Sequence, residues 1–180
     1  MTLKEDKILG SLVAGALGDA LGYQIEFDRG IKPRQITKIE KDAKISDDTQ
    51  MTLFTLTGLL WADSIDEEIS YSDAIYLSYL DWLDTQESEN KNIVRTSWIK
   101  NVPELNKLRA PGNTCLSALL SGKMGTLDKP LNNSSGCGAV MRVAPIGLYM
   151  DNPVDAAKLG AESAVITHGS PLAYYSAYIL

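Results

Sequence analysis

The chain is poor in the residues that nitrogen- and sulfur-based metal or redox chemistry would need. Its 180 residues include one histidine, His168, and two cysteines, Cys115 and Cys137. The cysteines lie far apart and match no zinc spacing, so they read as reduced thiols of a cytosolic protein. Strand patterns are scarce: only Gln35-Ile36-Thr37-Lys38-Ile39-Glu40 alternates, and it is short. No uninterrupted apolar run reaches membrane-spanning length. The apolar stretch Ile8 to Leu17 lacks the basic leader of a signal peptide, because Glu5 and Asp6 precede it and Asp19 follows closely. The expected compartment is therefore the cytoplasm, with no membrane partner. There is also no basic excess. A net charge of −6 excludes a nucleic-acid backbone as the expected partner, although local backbone donors can still hold an anionic small ligand.

What remains is helical. A hydrophobic content of 44% with 22% charged residues describes an ordinary globular protein. Its length suits one domain and is short for two. No repeat or low-complexity linker divides it, and the expectation is a single all-α domain over residues 1–180. Leu9, Val13, Ala16 and Ala20 share one face of a first helix. Gly15, Gly18 and Gly22 share another, where close approach of a neighbouring backbone would offset their poor helix propensity. A second helix is expected from Asp48 to about Ala62. A third follows Ser70 or Ser72, with Ile75, Tyr79, Trp82 and Leu83 inward, and Glu87 to Asn92 reads as a loop. Asn113 is placed to cap a helix through Leu120. Asn152-Pro153 opens another to about Thr167, and Ser170-Pro171 repeats that start signal. The last of these is apolar and stops at Ala177-Tyr178-Ile179-Leu180 without a capping residue, so either this tail inserts into the core or the chain lacks a continuation.

The densest chemistry lies at Ser46-Asp47-Asp48-Thr49. Two carboxylates between two hydroxyls concentrate hard oxygen donors suited to Mg²⁺, Mn²⁺ or Ca²⁺. The same residues suit plain helix capping, with Ser46 as N-cap and the aspartates offsetting the helix dipole. Three glycine-bearing turns also stand near helix starts: Ala110-Pro111-Gly112-Asn113-Thr114, Asn132 to Ala139, and Thr167-His168-Gly169-Ser170. Such turns expose backbone N–H groups to phosphate oxygens, though glycine and asparagine also build ordinary turns. His168 follows a helix end and has no partner pattern for Ser-His-Asp chemistry. Arg142, in the apolar stretch Val140 to Val143, needs a partner if buried, and Asp19 is the candidate.

Several of these segments carry a resemblance. Gly15-Ala16-Leu17-Gly18-Asp19-Ala20-Leu21-Gly22, Glu26-Phe27 and Ser46 to Met51 resemble the opening of the ADP-ribosylglycohydrolase family. Arg109 to Thr114, Gly136 to Pro145, and Ala164 to Pro171 are similar to its next blocks, in order and over nearly the whole chain. The resemblance implies a compact helical fold and a site for two divalent ions, usually Mg²⁺, with Mn²⁺ as an alternative. It also implies hydrolysis of the bond joining ADP-ribose to a protein side chain or small acceptor. On that analogy Ser46, Asp47 and Asp48 are metal ligands, and Glu26 and Asp48 orient or deprotonate the attacking water. Gly112, Asn113, Thr114, Ser135, Gly136, Cys137, Gly138 and Ala139 would cradle the diphosphate and ribose, with His168 nearby. Two departures stand out. The family's C-terminal Asp-x-Asp-Thr metal block does not occur before the chain ends, so the chain reads as an N-terminal portion with half of the metal shell missing. Ala110-Pro111-Gly112 also lacks the aspartate that some members carry just before the glycine. The expected function is thus an ADP-ribosyl hydrolase, with a non-catalytic ADP-ribose-binding fragment as the alternative.

Overall fold

A computed structural model describes residues 2–27, 38–86, 95–96 and 98–180. All regular structure among the described residues is helical: α1 (Leu3–Tyr23), α2 (Asp47–Ser64), α3 (Tyr71–Gln86), α4 (Asn113–Leu120), α5 (Ala144–Tyr149), α6 (Pro153–Val165) and α7 (Pro171–Ile179). Short 3₁₀ turns cover Trp98–Asn101 and Cys137–Ala139. Of the alternating stretch, Lys38 to Glu40 are irregular, and 35–37 lie outside the described residues. So does the whole of the polar loop expected at 87–92.

The helix starts follow local chemistry. The Thr2 hydroxyl accepts the Glu5 N–H and the Glu5 carboxylate accepts the Thr2 N–H, a capping box that opens α1. Asn152 Oδ1 accepts the N–H groups of Val154 and Asp155 ahead of Pro153. One start differs from expectation: Asn113 is the first residue of α4, and the cap is Gly112, which has no side chain to offer. The first-turn N–H groups of α4 therefore lack a side-chain acceptor.

Helices α2 and α3, joined by residues 65–70, form the centre. Met51, Phe54 and Leu59 from α2 meet Ile75, Tyr79 and Trp82 from α3, all fully buried. Gly58 sets their separation, since a Cβ there would lie 2.9 Å from Ile75 Cα. The far side of α3 buries charge. Asp81 accepts the backbone N–H groups of Arg95 and Thr96, and Asp84 accepts from the Arg95 guanidinium (2.8 Å) and Lys100 Nζ (2.7 Å). Two acids opposite two bases tie the segment around residues 95–101 to α3.

Helix α1 corrects the expectation made for it. Of the face Leu9, Val13, Ala16 and Ala20, only Ala20 is buried, while Leu9 and Val13 are about half exposed at 49% each. No backbone approaches the glycines: a Cβ at Gly15, Gly18 or Gly22 would meet nothing within 4 Å. These three glycines instead line a cavity of about 720 Å³ between α1, α2 and α5. At the other end of the chain, Ala177 is buried whereas Ile179 and Leu180 are exposed.

The two kinds of glycine respond oppositely to alanine. Gly15→Ala and Gly18→Ala should each stabilise this chain, by up to about 1 kcal/mol of helix propensity. Gly58→Ala should destabilise it by about 1–3 kcal/mol, because α2 and α3 must move apart. Urea melts of the three variants check this; a stabilised Gly58→Ala would contradict the packing described.

Candidate functional site

The acidic turn is held from two directions. Asp19 on α1 aims Oδ2 at the start of α2, where it accepts from the Ser46 N–H (2.8 Å), the Thr49 N–H (3.3 Å) and the Thr49 hydroxyl (2.5 Å). Ser46 Oγ accepts the Asp48 N–H at 3.1 Å, so Ser46 is the N-cap. From the other side, the Asp47 N–H donates to the Arg109 carbonyl (2.9 Å) and Asp47 Oδ2 accepts the Gly112 N–H (3.1 Å). Between these two partners the backbone passes through Ala110 at φ 53°, a left-handed residue immediately before a proline.

Adjacent positions on a helix point in different directions, and the two neighbouring aspartates have different surroundings. Asp47 is buried against the 109–112 turn. Asp48 is half-buried and lines the α1–α2–α5 cavity with Asp19, Glu26 and Thr52. Burial, above all, pushes the Asp47 carboxyl up to about 6; the Asp48 and Glu26 charges add to this and the Gly112 N–H opposes it. Burial raises Asp48 as well, helped by the charges of Asp19 and Glu26. Among the described residues, none of these four carboxylates forms an ion pair.

The glycine turns form one connected chain of hydrogen bonds. Asp47 binds Gly112 as above, and the hydroxyls of Thr114 and Ser134 pair at 3.2 Å. Ser134 O accepts the Ser170 N–H (3.2 Å). The Asn132 side chain donates to Thr167 O (2.8 Å) and accepts the Gly169 N–H (3.2 Å). Ser135, Gly136 and Cys137 are exposed, Gly138 is half-buried, and Ala139 and His168 are buried. What lies beneath crowds out a side chain at 138 and leaves only a tight fit for one at 136. A Cβ on Gly138 would be 2.8 Å from His168 Cε1 and 3.0 Å from Cys115 Sγ, and one on Gly136 would be 3.2 Å from His168 Nε2.

The Asp19–Arg142 pair does not form. Asp19 is taken up by the start of α2, and Arg142, fully buried, is held by neutral groups: Ser163 O, Thr167 Oγ1, two sulfur atoms and the Tyr79 ring. Asp19 is the residue that sequence reasoning misassigned, since nothing in a separation of 27 residues shows a carboxylate reaching a helix start. Gln50 was missed altogether. Its position directly after the acidic turn, as a buried polar residue at the head of an apolar run, was the available signal.

For a divalent cation the fit is partial. Asp47 and Asp48 offer hard oxygens in a field of unbalanced negative charge, the condition a cation relieves. Yet among the described residues no three His, Cys, Asp or Glu side chains converge as a metal-holding group.

A helical body with an acidic helix start tied to glycine turns defines the class of protein, and comparison with known proteins agrees. The family model described as ADP-ribosylglycohydrolase matches residues 1–180, and the chain belongs to that family. The chain is 29% identical over 201 aligned positions to the uncharacterized protein YegU of Escherichia coli K12. That alignment covers 99% of this chain and 53% of the relative, so the chain spans about half the length of the curated relative it matches. No solved structure matches. Among the described residues, no helix is long and apolar enough to cross a membrane.

The raised Asp47 pKa has a definite sign in stability. Its ionised form is disfavoured in the fold, so its contribution is fully present below about pH 4 and is lost as pH rises through about 6. Asp47→Asn removes this loss. The stability of the variant relative to the parent should climb between about pH 4 and 6 and then level off, as read by denaturant melts across that range. A flat difference would rule out the burial account.

Proposed function

We propose that this chain supplies the ADP-ribose-binding and acidic-turn part of an enzyme that hydrolyses the bond between ADP-ribose and a protein side chain or small acceptor. The observation that carries the reading is the Asp47–Gly112 hydrogen bond, which couples the carboxylate pair to the linked glycine turns in a member of this family. The uncapped start of α4 offers N–H donors to a diphosphate, and the turn at Ser135 to Ala139 lies one hydroxyl pair away. Asp48 and Glu26 face a common space, where one carboxylate can orient or deprotonate a water. A bound divalent ion, Mg²⁺ or Mn²⁺, would polarise ribose hydroxyls and acidify that water. Ser46, Asp47 and Asp48 would hold part of its shell.

A second reading, ADP-ribose binding without turnover, is supported by the incomplete convergence of metal-type ligands among the described residues.

Calorimetry with ADP-ribose and turnover of an ADP-ribosylated substrate by the complete gene product separate these readings. Asp47→Asn and Asp48→Asn should keep ADP-ribose affinity within about tenfold while lowering kcat by about a hundredfold or more, because the carboxylates serve the transition state. Gly136→Val should weaken ADP-ribose binding instead. Normal turnover in Asp48→Asn would reduce the acidic turn to a helix cap. Binding without any turnover in the parent would establish the second reading.

A further inference from the structure

The glycines inside the helices fall into two groups. Gly58 and Gly160 are crowded by the protein itself: an added Cβ would lie 2.9 Å from Ile75 Cα at the first and 2.6 Å from Ala177 O at the second. Gly15, Gly18 and Gly22 on α1 and Gly147 on α5 have nothing within 4 Å of such a Cβ. Each weakens its helix relative to alanine, and no close contact among the described residues offsets that.

The four open glycines share one side of the molecule. Gly15, Gly18 and Gly22 line the cavity of about 720 Å³ between α1, α2 and α5. Gly147 lines a second cavity of about 370 Å³, whose wall runs through Ala177 to Ile179 and Leu180 at the end of α7. Ala144, at the start of α5, borders both, so α5 separates two hollows of one continuous face. Apolar side chains stand around it. Leu9, Val13 and Leu17 of α1 are about half exposed, and Ile179 and Leu180 are 83% and 80% exposed. Contiguous apolar surface of this kind marks a contact with another polypeptide or an apolar phase. Grooves floored with glycine and edged with leucine suit a helix, whose backbone can come close where side chains are absent.

Chain length indicates the occupant. The family match covers residues 1–180. The alignment with the Escherichia coli relative takes in 99% of this chain and only 53% of the relative. Nearly half of that family member thus has no counterpart in these 180 residues. We propose that the α1–α5–α7 face seats a helix from the half of the family chain that these residues do not span, carried in the same polypeptide.

The seat also bears on the acidic turn. Asp19 reaches from α1 to the N–H groups of Ser46 and Thr49, and Ala20 is the one buried residue of α1. A helix seated on α1 fixes Asp19 and, through it, the start of α2. The proposal rests on family membership and on this surface, and it is independent of the ADP-ribose reading.

Hydrogen exchange and thermal melts of two proteins test it: the 180-residue chain, and the product of its gene read to the stop codon. In the longer protein, the amides of α1 and of Ser46 and Thr49 should exchange about a hundredfold more slowly or slower still, because α1 no longer opens by itself. Gly18→Leu should leave the melting temperature of the 180-residue chain unchanged or raised, and should lower that of the longer protein by several degrees, since the leucine fills the seat. Gly58→Ala should lower both, because its contact lies between α2 and α3. If the longer Gly18→Leu protein does not fold while the 180-residue variant does, the proposal is supported, and the exchange of the two parents gives an independent reading. Equal α1 exchange in the two parents, or a Gly18→Leu shift of one sign in both proteins, overturns the proposal. A gene that stops after Leu180 overturns it too. A 180-residue dimer that Gly18→Leu dissociates would then assign the face to a second copy, and flotation with phosphatidylcholine vesicles would assign it to a membrane.

Discussion

The site depends on a stretch without long regular structure being held still, and one side-chain amide does most of this. Gln50, fully buried on α2, donates to the carbonyls of Leu105 and Lys107 and accepts from Trp82 Nε1 and Gln86 Nε2. Both donors and the acceptor oxygen are thereby used, which is what makes burying an amide tolerable. Two residues further along, the Arg109 carbonyl receives the Asp47 N–H, and three beyond that Gly112 returns a hydrogen bond to the Asp47 carboxylate. The helix that presents the acidic turn thus also positions the turn opposite it. Gln86 reinforces the arrangement from α3 by accepting the Arg109 N–H.

Charge is treated in two contrasting ways. Beneath α3, Asp81, Asp84, Arg95 and Lys100 neutralise one another in the interior, where an unmatched charge would be severely destabilising. At the mouth of α2, burial raises the proton affinity of Asp47 and Asp48, and the neighbouring charges of Asp19 and Glu26 add to it. Mutual neutralisation is a structural solution. Burial of like charges at a helix start stores free energy that a cationic or proton-sharing ligand can release.

The helical class, the starts at Ser46, Asn152 and Ser170, and the inward face of α3 were legible because each rests on local chemistry: a capping oxygen, a proline, a 3.6-residue period. The resemblance assigned the acidic turn to a metal and the turns at Gly112 to Thr114 and Ser135 to Ala139 to a diphosphate; the Asp47–Gly112 hydrogen bond that joins them was not foreseen. Partners were illegible. The sequence offered Asp19 and Arg142 as isolated opposite charges, and both instead bond to backbone and hydroxyl groups, which carry no signature in a one-dimensional pattern. The α1 glycines misled for a related reason. Missing side chains signal space, and sequence alone does not say whether a backbone or a cavity fills it.

Helix α1 joins the rest of the molecule chiefly through polar contacts: the Asp19 carboxylate at its C-terminal end and the solvent-exposed Lys4–Asp151 pair at its start. Much of its apolar surface already faces water. Detaching it would expose little more, so that step carries a small heat-capacity change and varies weakly with temperature, unlike global unfolding of the α2–α3 centre. Dissolved salt acts on it instead, by screening the exposed ion pair. The α1 wall of the cavity is thus held mainly by polar contacts, and the α2 wall by the apolar centre.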